Sequence, residues 1–187
     1  MDVGIFSPER LVTDIDGACE AEKMARDEGL TIVLTNEEFD LANPGHVRLL
    51  HEASKLADLL FVGIKSDSTI QSYDLPIISE FDRAYMIAAL GCVDVVFIYG
   101  DPDFSKPLEK IRPDVYVAES DGEVPVLSDD EKKVIDKLEI AVKNISIYSG
   151  YSTANIINRI VNSMTKWGME WGPIQCLFDR KKTAPGV

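Results

Sequence analysis

Short apolar, β-branched runs alternate with amphipathic stretches along most of this chain. Thr31-Ile32-Val33-Leu34 has the length and branching of a buried strand. Leu49, Leu50, Ala53, Leu56 and Ala57 then recur at helical spacing and predict a helix over about 45–57. Leu59-Leu60-Phe61-Val62-Gly63-Ile64 is a continuous apolar run, as central parallel strands are. A helix over 79–91, a strand over 95–98, a short helix over 104–111 and a strand over 115–117 follow. Ser128 and Glu131 form a capping-box pair that opens a helix running to about 143. Ile145-Ser146-Ile147-Tyr148 reads as the fifth strand, and Ser152 as the cap of a last helix with Ile156, Ile157, Ile160, Val161 and Met164 on one face. Upstream lies one amphipathic helix, roughly 14–28, stopped by Gly29. The alternation predicts an α/β fold: a Rossmann-like, doubly wound, five-stranded parallel sheet with helices on both faces. Ligands of such a sheet sit beyond the carboxyl ends of its strands, at the switch in strand order.

With 187 residues, the chain is long enough for one compact domain with an appended segment. The expected division is a domain over 1–163, including the N-terminal helix, and an ordered extension over 164–187. The extension fits neither periodicity, and Trp167 and Trp171 are its expected packing anchors. Lys and Arg total 19 against 32 Asp and Glu, a formal net charge of -13. Such a surface repels phosphate backbones and anionic lipid, so nucleic acid and membrane are excluded as expected partners. No apolar run reaches membrane-span length, and the start, Met1-Asp2-Val3-Gly4, carries no basic signal-peptide flank. Cys19, Cys92 and Cys176 are far apart, odd in number and outside metal-ligand spacing. The expectation is a soluble, reduced, cytoplasmic protein.

The chemistry concentrates in Thr35-Asn36-Glu37-Glu38-Phe39-Asp40-Leu41-Ala42-Asn43-Pro44-Gly45-His46, which leads from the first strand into the first long helix. A helix start there offers backbone N–H groups and the positive end of the dipole to an anion. Gly45 permits close approach, and His46 presents a donor on the first turn. On these residues alone, a phosphate site and a turn with a capping histidine are equally good readings.

This segment resembles the TNGxFDxxHxGH signature of the cytidylyltransferase-like nucleotidyltransferases. It is most similar to the heptose-phosphate adenylyltransferases, with glycerol-3-phosphate cytidylyltransferase a more distant relative. Further motifs agree in order. Leu60 to Asp67 resembles the family's second strand and its Ser-Asp ending. Leu75-Pro76-Ile77-Ile78, Arg83 and Ala89 to Asp94 resemble the RPI…R…AL…VD stretch. Arg112-Pro113-Asp114-Val115 resembles the KPD strand entry, and Gly150 to Ile157 the STTxII motif. The resemblance spans about 10–163. It implies transfer of a nucleotidyl group from an NTP, ATP or CTP, to a phosphorylated small molecule such as a sugar phosphate. Magnesium would arrive with the nucleotide rather than sit in a protein cage. It implies catalytic roles for His46 and Asn43, and nucleotide contacts from Thr35, Asn36, Phe39, Arg83, Asp121, Ser152 and Thr153. Relatives are commonly homodimers, which extends that expectation to this chain.

Three departures fall on the phosphate-facing edge. Asn43 stands where the first HxGH histidine belongs, and an amide cannot be cationic. A charge-assisted bond contributes about 1.5–3 kcal/mol against about 1 for a neutral one. The difference amounts to a roughly ten- to thirty-fold slower turnover. Glu37-Glu38 replaces Gly-x, and like charges about 4 Å apart repel by about 4 kcal/mol at an effective dielectric of about 20. Ala118-Glu119-Ser120-Asp121-Gly122 stands in place of KGGDY, so a basic residue is lost and only the aspartate matches. Two readings of different class remain: an active, divergent nucleotidyltransferase, and a silent homologue kept as a nucleotide-binding or assembly subunit. Arg83 is open between a nucleotide contact and an ion pair with Asp82 or Glu80. His51 is an ordinary surface histidine.

Overall fold

The computed structural model describes residues 12–70, 76–120, 127–146 and 153–166. They belong to two units divided between Tyr151 and Ser152. In the first, the elements are β1 (Val12–Asp14), α1 (Ile15–Asp27), β2 (Ile32–Glu37), α2 (Pro44–Ala53), β3 (Leu59–Lys65), α3 (Glu80–Ala88), β4 (Val95–Tyr99), α4 (Ser105–Ile111), β5 (Val115–Ser120), α5 (Asp129–Leu138) and β6 (Ala141–Ser146). The second contributes α6 (Thr153–Lys166).

The sheet is parallel throughout, in the order β1-β4-β3-β2-β5-β6. The chain winds outward from β2 through β3 to β4, then crosses back to place β5 on the other side of β2. The switch in strand order is therefore the β2–β5 boundary, where a doubly wound sheet opens its ligand crevice.

Alternation along the strands divides the core into two layers. Ile32, Leu34, Phe61, Phe97 and Tyr116 pack with Ala18 and Ala25 of α1, Leu108 and Ile111 of α4 and Ile135 of α5. Val33, Leu60, Val62, Val96 and Val117 pack with Leu49 and Leu50 of α2 and Ala84 and Ile87 of α3. Helices thus cover both faces, as the alternation predicts.

Among the described residues the sheet has six strands rather than five. The additional one, β1, pairs Val12, Thr13 and Asp14 with Val96, Phe97 and Ile98. Asp14 then ends the strand and caps α1 by accepting the Gly17 N–H at 2.9 Å. Three residues are too few to show a period of two. The other shift is at α5, which stops at Leu138, not near 143, because Glu139 turns left-handed with φ 55° and β6 begins at Ala141. Residues 147–148, the end of the expected fifth strand, lie outside the described residues.

Candidate active site at the carboxyl end of the sheet

Strand parity sends the last two residues of β2 to opposite faces. Asn36 follows Ile32 and Leu34 to the α4 side. Glu37 follows Val33 and Thr35 to the α2 side.

Asn36 is held between two tyrosines, Tyr116 from the adjacent β5 and Tyr99 from β4, which lies beyond β3. Its Nδ2 donates to the Tyr99 hydroxyl at 3.0 Å, and its Oδ1 accepts from the Tyr116 hydroxyl at 2.7 Å. Tyr99 and Tyr116 are buried with Phe104, whose ring lies 4.9 Å from the first and 5.8 Å from the second. Burial pushes the Tyr99 phenol up to about 12, against the opposing hydrogen bond from Asn36, and pushes Tyr116 well above the ordinary range. Both phenols stay protonated at neutral pH, Tyr116 donating to Asn36 and Tyr99 accepting from it. The motif implicates Asn36, but these tyrosines belong to other segments and were not among the expected site residues. The signal was an aromatic at the end of one strand and near the start of another.

On the other face, the turn after β2 places His46 against Glu37. Phe39 and Leu41 take left-handed backbone conformations, with φ 52° and 73°. That bend drives Phe39 into the core, edge-on to the His46 ring at 5.4 Å. Asp40 fixes the outer side of the turn by accepting the N–H groups of Ile77 and Ile78. Asn43 caps α2: its Oδ1 accepts the Gly45 N–H at 2.9 Å, while its Nδ2 donates to the Leu41 carbonyl at 3.2 Å. His46 returns the contact, its Nδ1 accepting the Asn43 N–H at 3.0 Å. A ring nitrogen that accepts must carry the lone pair, so the proton is on Nε2. That N–H donates to Glu37 Oε1 at 3.1 Å. The other oxygen, Glu37 Oε2, is buried without a hydrogen-bond partner among the described residues.

The expected residues are therefore partly gathered. Asn36, Asn43 and His46 lie around the end of β2 and the start of α2. Thr35 is next to them, but its hydroxyl donates to the Val117 carbonyl at 2.9 Å and knits β2 to β5. Phe39 is a core residue. Arg83 has no exposed surface. Its Nε donates to the Ile78 carbonyl at 3.0 Å, one terminal nitrogen to the Glu38 carbonyl, and the other to the Lys65 carbonyl at 2.8 Å and Asp67 Oδ1 at 2.6 Å. Its ion-pair partner is Asp67, not Asp82 or Glu80. Asp121, Ser152, Trp167 and Trp171 lie outside the described residues, and Thr153 opens α6 in the second unit.

Beside the α2 start, a groove of about 550 Å³ runs between residues 42–48 and Met86, Ile87 and Leu90 of α3 and its exit. Among the described residues, no group of three or more His, Cys, Asp or Glu gathers to hold a metal ion, and no helix is long and apolar enough to cross a membrane. The site does fit a cation carried in by a nucleotide. The unpartnered Glu37 Oε2 is a hard carboxylate oxygen of the kind magnesium takes alongside phosphates.

Comparison with known proteins decides the family. The cytidylyltransferase-like family model matches residues 34–164, most of the chain. This chain belongs to the cytidylyltransferase-like family. It is 35% identical over 143 residues to the bifunctional protein HldE of Syntrophotalea carbinolica, covering 75% of this chain and 29% of that protein. It is 37% identical over 133 residues to the bifunctional protein HldE of Helicobacter pylori strain J99, covering 69% and 27%. The match thus spans less than a third of these longer relatives. Among solved structures, the lipopolysaccharide core biosynthesis protein of Thermoplasma volcanium aligns with TM-score 0.53 and 30% identity, over 64% of this chain and 97% of that one.

Proposed function

We propose that the chain transfers a nucleotidyl group from ATP or CTP to a phosphorylated small molecule, a sugar phosphate, with release of pyrophosphate. The observation that carries this reading is His46. Its Nδ1 is locked by the Asn43 N–H, so its Nε2–H is a fixed donor at the carboxyl end of β2. In this family the corresponding histidine donates to phosphate oxygens and stabilises charge on the five-coordinate phosphorus. Preorganised donors of that kind account for most of the catalysis in phosphoryl chemistry. Asn43 contributes through its cap, the side-chain amide fixing the start of the helix that carries His46. A divalent cation would supply charge neutralisation along the polyphosphate.

The second reading is a silent nucleotide-binding or assembly subunit. It is favoured by the same contact seen from the other side, since Glu37 already accepts the N–H that a phosphate would need. Pyrophosphate release with ATP or CTP, magnesium and a panel of sugar phosphates separates the two. Release that His46→Ala abolishes supports the enzyme. No release with any acceptor, alongside calorimetric binding of nucleotide, supports the binding subunit.

A further inference from the structure

The carboxylates around the β2 end differ in how they are satisfied. Asp40 accepts the N–H groups of Ile77 and Ile78. Asp67 accepts from Arg83 and the Glu80 N–H, while Glu80 accepts the Asp67 N–H in return. Glu37 has one bond, from His46 Nε2–H at 3.1 Å, and its second oxygen is the one buried carboxylate oxygen without a partner among the described residues. Buried polar atoms are nearly always paired, so one left over calls for an account.

The single donor that Glu37 has is also the donor a nucleotide phosphate needs. One N–H cannot serve both acceptors well. Once a phosphate oxygen takes it, the carboxylate is left with no donor, beside a polyanion. Only a positive charge placed between them removes both penalties. Magnesium is commonly held by one or two carboxylates with the remaining positions filled by phosphate oxygens and water, so no protein cage is required.

We propose that Glu37 is a ligand of the divalent cation that accompanies the nucleotide, the pair exchanging partners on binding: phosphate takes the His46 N–H, and the cation takes the Glu37 carboxylate. This rests on the nucleotide reading above and adds a residue to it. It also gives the acidic turn a use: Glu37 makes binding depend on the metal complex and rejects the bare polyphosphate.

The test is calorimetric titration of ATP and CTP, with magnesium and with chelator at matched ionic strength, into the wild type, Glu37→Gln and Glu37→Ala. A charge-assisted ligand predicts that magnesium tightens wild-type binding by at least about tenfold. In both variants the enhancement should shrink several-fold, with the metal-free nucleotide binding more tightly than to the wild type. Relief of repulsion alone would move these affinities too, so the deciding readout is electron paramagnetic resonance of the manganese–nucleotide complex. Its spectrum should change between the wild type and Glu37→Gln. An identical spectrum, or an unchanged metal enhancement in both variants, overturns the ligand role while leaving nucleotide binding intact. Absence of nucleotide binding in every protein, with or without metal, overturns the nucleotide reading and this one with it.

Discussion

Arg83 has no exposed surface, and its guanidinium meets the carbonyls of Glu38, Lys65 and Ile78 and the carboxylate of Asp67. These acceptors come from the turn after β2, the carboxyl end and exit of β3 and the lead into α3, so one side chain ties three segments together. Arg83→Met would leave the Asp67 carboxylate without its cation and three carbonyls without their donor. Asp67 is about one-third exposed and keeps the Glu80 N–H, so the expected loss is that of unsatisfied buried acceptors, about 1–3 kcal/mol. Arg83→Lys should recover little of it, because an ammonium lacks the planar fork. Denaturant unfolding of both variants measures this, and a loss under about 1 kcal/mol would remove the clamp. Tyr99 gives a second residue-level expectation. Its folded pKa is about 12, raised chiefly by burial. An unfolded tyrosine titrates near 10. Between those values the folded state holds the proton and the unfolded state has released it, so stability must fall as pH rises. The slope approaches about 1.4 kcal/mol per pH unit for each such tyrosine. The stability advantage of the wild type over Tyr99→Phe should therefore shrink between pH 10 and 11. An advantage constant across that range would mean that the phenol titrates normally.

Between elements, the aromatic layer that holds Asn36 depends on a glycine in the central strand. Gly63 faces the α4 side, and a Cβ there would lie 2.7 and 2.9 Å from Phe104 ring atoms and 3.1 Å from Phe97. Phe104 cannot easily retreat, because its backbone N–H is held by Glu131 Oε1 of α5 at 3.0 Å. Gly63→Ala should cost about 1–3 kcal/mol by overpacking. Combined with Phe104→Leu, the loss should be less than the sum of the two single changes, since both act on one contact. Strict additivity in thermal or denaturant unfolding would disprove the coupling. The sequence could be read for β2 through β5 and the helices between them because each has enough residues to display its period. It could not be read for β1, which has three residues, or for the α5 exit, where Glu139 adopts the left-handed conformation that glycine usually signals. The site divides in the same way. The motif order points to His46 and Asn36, but the meeting of Glu37 with His46 depends on two left-handed, non-glycine residues in the intervening turn, Phe39 and Leu41. Neither residue type announces such a bend. Arg83 was ambiguous because its acceptors are mostly backbone carbonyls, which leave no trace in residue identity.

The whole molecule carries a formal charge of -13, and its proposed ligand is itself an anion. Nucleotide sites built on lysine and arginine attract polyphosphate at long range, and salt weakens them by screening that attraction. Here the site presents Glu37 beside His46, and the chain as a whole has the same sign as the ligand. At about 0.01 M salt the Debye length is about 30 Å, so the charge of most of the domain reaches the site. At about 0.15 M it is about 8 Å, and only the nearest groups count. Raising ionic strength over that range removes long-range repulsion before it screens the short contacts to His46 and to a cation on Glu37. The affinity for magnesium–ATP or magnesium–CTP should therefore rise with salt over this interval, the opposite of a basic nucleotide site. Glu37→Gln removes one nearby charge and should flatten the slope without reversing it, because the distributed charge remains. Calorimetric titration at four or five salt concentrations, with a non-chelating anion, measures both slopes. Affinity falling steadily from the lowest salt would mean that a local cluster of cations governs the approach of the nucleotide.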